Sequence, residues 1–249
     1  MTARPHGTTA GPGPGRGMPS APVAVVTGGS SGIGLAVTDA LIGHGWRVVS
    51  LSRTRGPQQA TVTWVPCDLA DLGSLEHGMD HVAGLADGGV DAVVHCAGLL
   101  RTAYLGSLDR RHGATMWAVH VRAAEVLVDR LGERLHDGGR VVLVGSRTMS
   151  GVAGKSQYAA TKAALAALAR AWAAELAPRA ITVNVVAPGP TRTAMLDDPV
   201  RAGTPPVVPP LGRLVEPSEV AALVLFLLED TGAMITGQTL VVCGGASLG

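Results

Sequence analysis

The chain has 249 residues and a formal net charge of +1. That length can bury a real core, roughly 70–75% of the unfolded surface, and a hydrophobic content of 47% excludes a disordered or fibrous chain. Near-neutral charge leaves no electrostatic footprint for nucleic acid or for an anionic membrane, so neither is expected as a partner.

The scarce residue types are informative. There are 34 Gly but only 2 Tyr and 1 Phe, and the only lysines are Lys155 and Lys162. Three cysteines, Cys67, Cys96 and Cys243, form no spaced framework, which argues against a disulfide-stapled secreted fold. The longest apolar stretch, Val220–Leu228, is too short to span a bilayer. A cytoplasmic location is expected. Arg in place of Lys, with abundant Ala and Gly, fits a GC-rich bacterial genome.

Residues 1–21 are rich in Gly, Pro and Thr and lack the apolar segment of a signal peptide, so a flexible tail is expected there. One domain is expected over 22–249. Short runs rich in β-branched residues predict strands at Val23–Thr27, Arg47–Leu51, Thr61–Pro66, Asp91–His95, Arg140–Gly145, Ile181–Val186 and Thr239–Val242. Ala- and Leu-rich stretches between them predict helices at Ile33–His44, Leu72–Leu85, His112–Leu135, Gln157–Ala177 and Pro217–Leu228. Most strand runs are continuously apolar, the pattern of a parallel sheet covered on both faces. The rhythm predicts an α/β fold, a single doubly wound domain of about seven parallel strands. Residues 194–216 lack periodicity and carry Pro205, Pro206, Pro209 and Pro210; a substrate lid is expected there.

The first strand runs into Thr27-Gly28-Gly29-Ser30-Ser31-Gly32-Ile33-Gly34 and then a helix. Glycine permits a tight turn and a close backbone approach, and a helix N-terminus offers N–H groups to a pyrophosphate. At the end of the second strand an acidic residue would bind a ribose 2′-hydroxyl; here stand Ser52 and Arg53, with Arg55 close by. A guanidinium suits a 2′-phosphate, so NADP(H) is favoured over NAD(H).

Tyr158 and Lys162 lie four apart in a helical segment and so share a face one turn apart. A lysine ammonium near a phenol favours the phenolate, which makes Tyr158 a usable general acid/base near neutral pH. Ser146 ends the fifth predicted strand, where doubly wound folds place their ligands.

With these motifs in order, the chain resembles the short-chain dehydrogenase/reductase family, 3-oxoacyl-carrier-protein reductases included, over nearly everything after the tail. The resemblance implies a Rossmann fold. It puts Thr27, Gly28, Ser30, Ser31, Gly32, Ile33 and Gly34 in the cofactor loop, with Ser52 and Arg53 beyond it. It places Asp68 and Leu69 at the adenine, and Ala97 and Gly98 in the segment where His95-Cys96 stand for the family's usual Asn-Asn. Pro188, Gly189, Thr191 and Thr193 fall beside the nicotinamide, and Gly237-Gln238 and Gly244-Gly245 resemble the usual C-terminal pattern. Ser146, Tyr158 and Lys162 match the catalytic residues, with Lys162 also on the nicotinamide ribose. The family's fourth catalytic residue, an Asn that holds a relay water, is His120 here. An imidazole also donates and accepts, so His120 is expected to substitute in the relay, and His120→Asn to retain or raise turnover.

The expected function is an NADP(H)-dependent ketoreductase acting on a small, moderately hydrophobic carbonyl or secondary alcohol, a 3-oxoacyl thioester being one candidate. An NAD-dependent alcohol dehydrogenase of the same fold, or a nucleotide-binding regulatory protein without turnover, remain alternatives. His77 and His81 have chelating spacing but no third ligand, so no metal is expected. Arg192, just before the lid, reads as a solvated charge or a lure for an acidic substrate. The Ala-rich helix 159–177 permits close helix approach, and family members pair it across an interface, so a homotetramer or homodimer is expected.

Overall fold

The computed structural model describes residues 21–86, 88–196 and 207–248. The predicted tail therefore lies outside the described residues except for its last residue, as does 197–206 of the predicted lid.

Seven parallel strands form one sheet in the order β3-β2-β1-β4-β5-β6-β7. They are β1 (Val23–Thr27), β2 (Arg47–Ser52), β3 (Val62–Pro66), β4 (Val90–His95), β5 (Leu135–Val144), β6 (Thr182–Pro188) and β7 (Thr239–Val242). The helices are α1 (Gly32–Gly43), α2 (Leu72–Leu85), α3 (Arg110–Trp117), α4 (Ala123–Gly132), α5 (Ser156–Leu176) and α6 (Pro217–Leu228). The predicted strands and helices are all present, most within one or two residues of the expected limits.

Alternation along buried strands builds two layers. Val23 and Val25 of β1 face a cluster with Leu75 and Met79 of α2, Leu127 of α4 and Leu165 of α5. Ala24 and Val26 face the opposite cluster, with Val37 and Leu41 of α1 and Val220, Val224 and Leu227 of α6. The first helix thus packs against the last.

The predicted helix His112–Leu135 is corrected. It is broken by a π turn at Ala118–Arg122, and α4 stops at Gly132. Leu135 belongs to β5, where it pairs with Val90 across a register shift between Val90 and Ala92. A strand partner 45 residues away leaves no trace in local periodicity. The π turn widens the helix where His120, fully buried, enters.

Registers align the C-terminal strand ends along one edge. Thr27 pairs with Leu51 and His95, His95 with Leu143, and Val144 with Val186. Between β1 and β4 the strand order reverses, which is where such sheets open a ligand crevice. Beyond β6, a parallel bridge between Thr191 and Val215 closes the base of the predicted lid.

Candidate active site

A cleft of about 880 Å³ runs along this edge. One end is made of backbone. Gly28 has φ +70°, and a Cβ there would lie 2.8 Å from the Ala97 Cα. A Cβ on Gly34 would lie 2.2 Å from the Gly28 carbonyl oxygen. The loop therefore closes on the start of α1 only with hydrogen at these positions. Ser31, the N-cap of α1, makes no side-chain capping bond, which leaves the first-turn N–H groups for an anion. Ser52 and exposed Arg53, following β2, line this end, whereas Arg55 lies in a separate depression with Gly29. Asp68 and Leu69, after β3, complete it.

The other end is made of side chains. Ser146 follows β5 and is buried; its Oγ accepts from the Thr148 N–H at 3.2 Å and shares a 2.9 Å hydrogen bond with the Thr148 hydroxyl. With Thr148 as donor in that pair, the serine proton is left for a ligand oxygen. Tyr158 lies in the first turn of α5 and lines the cleft. One turn on, Lys162 is buried, its Nζ 6.0 Å from the Tyr158 ring centroid and donating to the Val144 carbonyl at 2.7 Å. Burial pushes the Lys162 pKa down to about 8, partly countered by Cys96. A cation so placed has an ammonium ready for a phenolate or a ribose hydroxyl.

Two buried histidines stand behind Lys162. The Leu99 N–H donates to His120 Nε2 at 3.0 Å, so the ring proton sits on Nδ1 and donates to Thr161 Oγ1 at 2.8 Å. Thr161 in turn donates to the Tyr158 carbonyl at 2.8 Å. Burial, then the charge of Lys162, then His95 hold the His120 pKa well below its usual value. The imidazole is neutral and both of its nitrogens are occupied, which leaves neither for a relay water. His120 packs edge-on against the Tyr158 ring, centroids 5.6 Å apart. His95 Nδ1 and Thr27 Oγ1 are 2.8 Å apart, and the Ala97 N–H also donates to Thr27 at 3.2 Å. Burial and Lys162 push the His95 pKa down to about 3. His120 holds the Ala97–Leu99 segment directly at Leu99, and His95 holds it through Thr27 at Ala97.

A family model described as enoyl-(acyl carrier protein) reductase matches residues 28–247. The chain belongs to the short-chain dehydrogenase/reductase family. It is 36% identical over 238 residues to carbonyl reductase family member 4 of Danio rerio, covering 91% of this chain and 98% of that protein. It is 34% identical over 239 residues to the 3-oxoacyl-(acyl-carrier-protein) reductase of Escherichia coli K12, covering 90% and 96%. The structure of a short-chain dehydrogenase of Burkholderia cenocepacia in complex with NADP superposes with a TM-score of 0.77 at 33% identity, covering 90% and 96%.

Against this dehydrogenase/reductase frame, most of the expected site residues line the one cleft: Ser146, Tyr158 and Lys162, the loop residues Gly28, Ser30, Ser31, Gly32, Ile33 and Gly34, then Ser52, Arg53, Asp68, Leu69, Ala97, Gly98, Pro188, Gly189, Thr191 and Thr193. Thr27 and His120 do not line it. Both are fully buried behind it and act through the Ala97–Leu99 backbone. A Cβ on Gly98 would meet His120 Nε2 at 3.3 Å and Lys162 Nζ at 3.5 Å, so that glycine is what lets the two nitrogens converge. Arg192 pairs with Glu216 at 2.8 Å and is neither solitary nor in the cleft. His77 and His81 stack edge-on at 4.6 Å, and among the described residues no group of His, Cys, Asp or Glu could hold a metal. No described helix is long and apolar enough to cross a membrane. Sequence reasoning missed Thr161, Thr148 and Arg147. Nothing in their local pattern separates them from ordinary polar residues.

Proposed function

We propose that the chain is an NADP(H)-dependent carbonyl reductase, reducing a ketone of a small, moderately hydrophobic molecule to a secondary alcohol or running the reverse. The observation that carries this reading is one constellation: Ser146 and Tyr158 facing the same cleft, with the buried Lys162 ammonium one turn behind the phenol. The relatives are named as carbonyl and 3-oxoacyl reductases, and the Burkholderia structure holds NADP.

The residues present fit a dinucleotide. Gly32, Ile33 and Gly34 offer backbone N–H groups to a pyrophosphate, Gly28, whose own N–H donates to the Leu51 carbonyl, adds no side-chain obstruction, and Arg53 offers a guanidinium to a 2′-phosphate. Asp68 and Leu69, which line the cleft, would hold the adenine, and Pro188, Gly189, Thr191 and Thr193 would flank the nicotinamide. When bound, the nicotinamide supplies or accepts the hydride. The protein handles position and the proton. Ser146 donates a hydrogen bond to the substrate oxygen, Tyr158 gives that oxygen its proton, and Lys162 favours the phenolate left behind. In reduction the carbon gains the hydride and the oxygen gains the Tyr158 proton, which solvent restores. A homodimer or homotetramer with α5 at an interface fits the small, exposed Ala167, Ala171 and Ala174 on that helix.

The test is NADPH oxidation over a panel of ketones by the wild type and Tyr158→Phe. Removing the proton donor is expected to cut kcat by a factor of roughly 10² to 10⁴. Equal rates, or no turnover of any ketone, refute the reading.

A further inference from the structure

Arg147 follows Ser146 directly and lines the cleft. Its Nε is buried and has no hydrogen-bond partner. Other arginines are satisfied: Arg111, Arg130, Arg179, Arg192 and Arg213 each have a carboxylate within 3.1 Å. Arg122 and Arg140 also leave Nε unpaired, but their terminal nitrogens donate to the backbone carbonyls of Ala70 and of Gly138 and Gly139. Arg147 makes no such bond among the described residues. The terminal nitrogens make no hydrogen bond either and, unlike Nε, are not sealed off by protein, so they are what an anion in the cleft would meet.

The position says which ligand. Asp68 is the only carboxylate lining the cleft among the described residues, and it follows β3, at the far edge of the sheet. Arg147 follows β5 directly after Ser146, so its guanidinium belongs to the end of the cleft that holds Ser146 and Tyr158. The glycine loop and Arg53, at the other end, would hold the dinucleotide phosphates. A planar guanidinium with several donors matches a carboxylate or phosphate, whose oxygens accept in parallel.

We propose that Arg147 anchors an anionic group, a carboxylate or a phosphate, on the carbonyl substrate, and so selects ketones that carry one. This rests on the reductase reading, of which it names the substrate class. The geometry is compatible with a short tether, because the residue that binds the anion is the sequence neighbour of the residue that binds the reacting oxygen.

Two matched pairs of ketones test it: acetoacetate with methyl acetoacetate, and dihydroxyacetone phosphate with dihydroxyacetone. Arg147→Gln should raise KM about tenfold or more for the charged member of at least one pair, with kcat within about twofold and the neutral member unchanged. The pair that responds identifies the source of the anion. Arg147→Lys should keep part of the preference, and KM for NADPH should not move. Equal effects on charged and neutral members, or no effect on either pair, overturn the proposal. Calorimetric titration of the two charged compounds into wild type and Arg147→Gln separates this from the reductase reading. Tighter binding by wild type without turnover keeps the anion site and sinks the reductase; turnover of neutral ketones with equal binding by both proteins does the reverse.

Discussion

The two ends of the cleft are made of different material. The end beyond β1 and β2 is backbone brought close by glycine, and its chemistry is the donor geometry of a turn and a helix start. The end beyond β4 and β5 is side chains: a buried ammonium, a phenol, a serine and two neutral imidazoles. The first is intolerant of added atoms where the turn closes. The second tolerates isosteric change but depends on the charge state of one lysine.

The sharpest break of the first end is Gly34→Ala. Its Cβ would sit 2.2 Å from the Gly28 carbonyl oxygen, so the loop must open, and NADPH affinity measured by fluorescence titration should fall about a hundredfold or more. Gly43→Ala, on the same helix with nothing within 4 Å, should bind NADPH as the wild type does.

The second end answers to pH. Lys162 has a folded pKa of about 8 against 10.5 when free, so between those values the unfolded chain binds more protons than the folded one. Stability therefore rises as pH goes from about 8 to 10.5, and below about 8, where both states hold the proton, this contribution is level. Lys162→Met should lose that slope, which is on the order of 3 kcal/mol across the window. Urea midpoints of both proteins at several pH values measure it; parallel curves would show that the lysine is not desolvated.

Arg53→Ala tests the side-chain edge of the backbone end. NADPH should bind about tenfold more weakly, with NADH unaffected. The smallest effect is expected from His120→Asn. The ring holds the Leu99 N–H and Thr161, and an amide can make one of those bonds, so turnover should stay within about threefold while stability drops by about 1–2 kcal/mol. A large loss of kcat with unchanged stability would assign His120 a part in proton transfer.

Much of the fold was legible because each strand is a continuous apolar run between turn signals, and burial on both faces writes itself into composition. The long helix before β5 was misread because its apolar spacing continues through the π turn, while the pairing that makes Leu135 a strand residue lies with Val90. At the site, the glycine loop and the Tyr158–Lys162 spacing are local, and so visible. His120 was visible as a departure, but not its wiring: its partners are 21 and 41 residues away. The resemblance puts Thr27 in the cofactor loop, and its hydroxyl pairs with His95, 68 residues along the chain. Arg147 gave no signal, because an arginine in a loop is ordinary until its surroundings are seen.

The packing of α1 on α6 constrains how the protein is made. Four strands, β3-β2-β1-β4, are available once synthesis passes residue 95, yet Val37 and Leu41 on one side of them stay uncovered until Val220, Val224 and Leu227 arrive. The nascent chain therefore carries a half-clothed sheet through most of translation, and a premature stop before α6 leaves a sticky apolar face that invites chaperone capture rather than a smaller working protein.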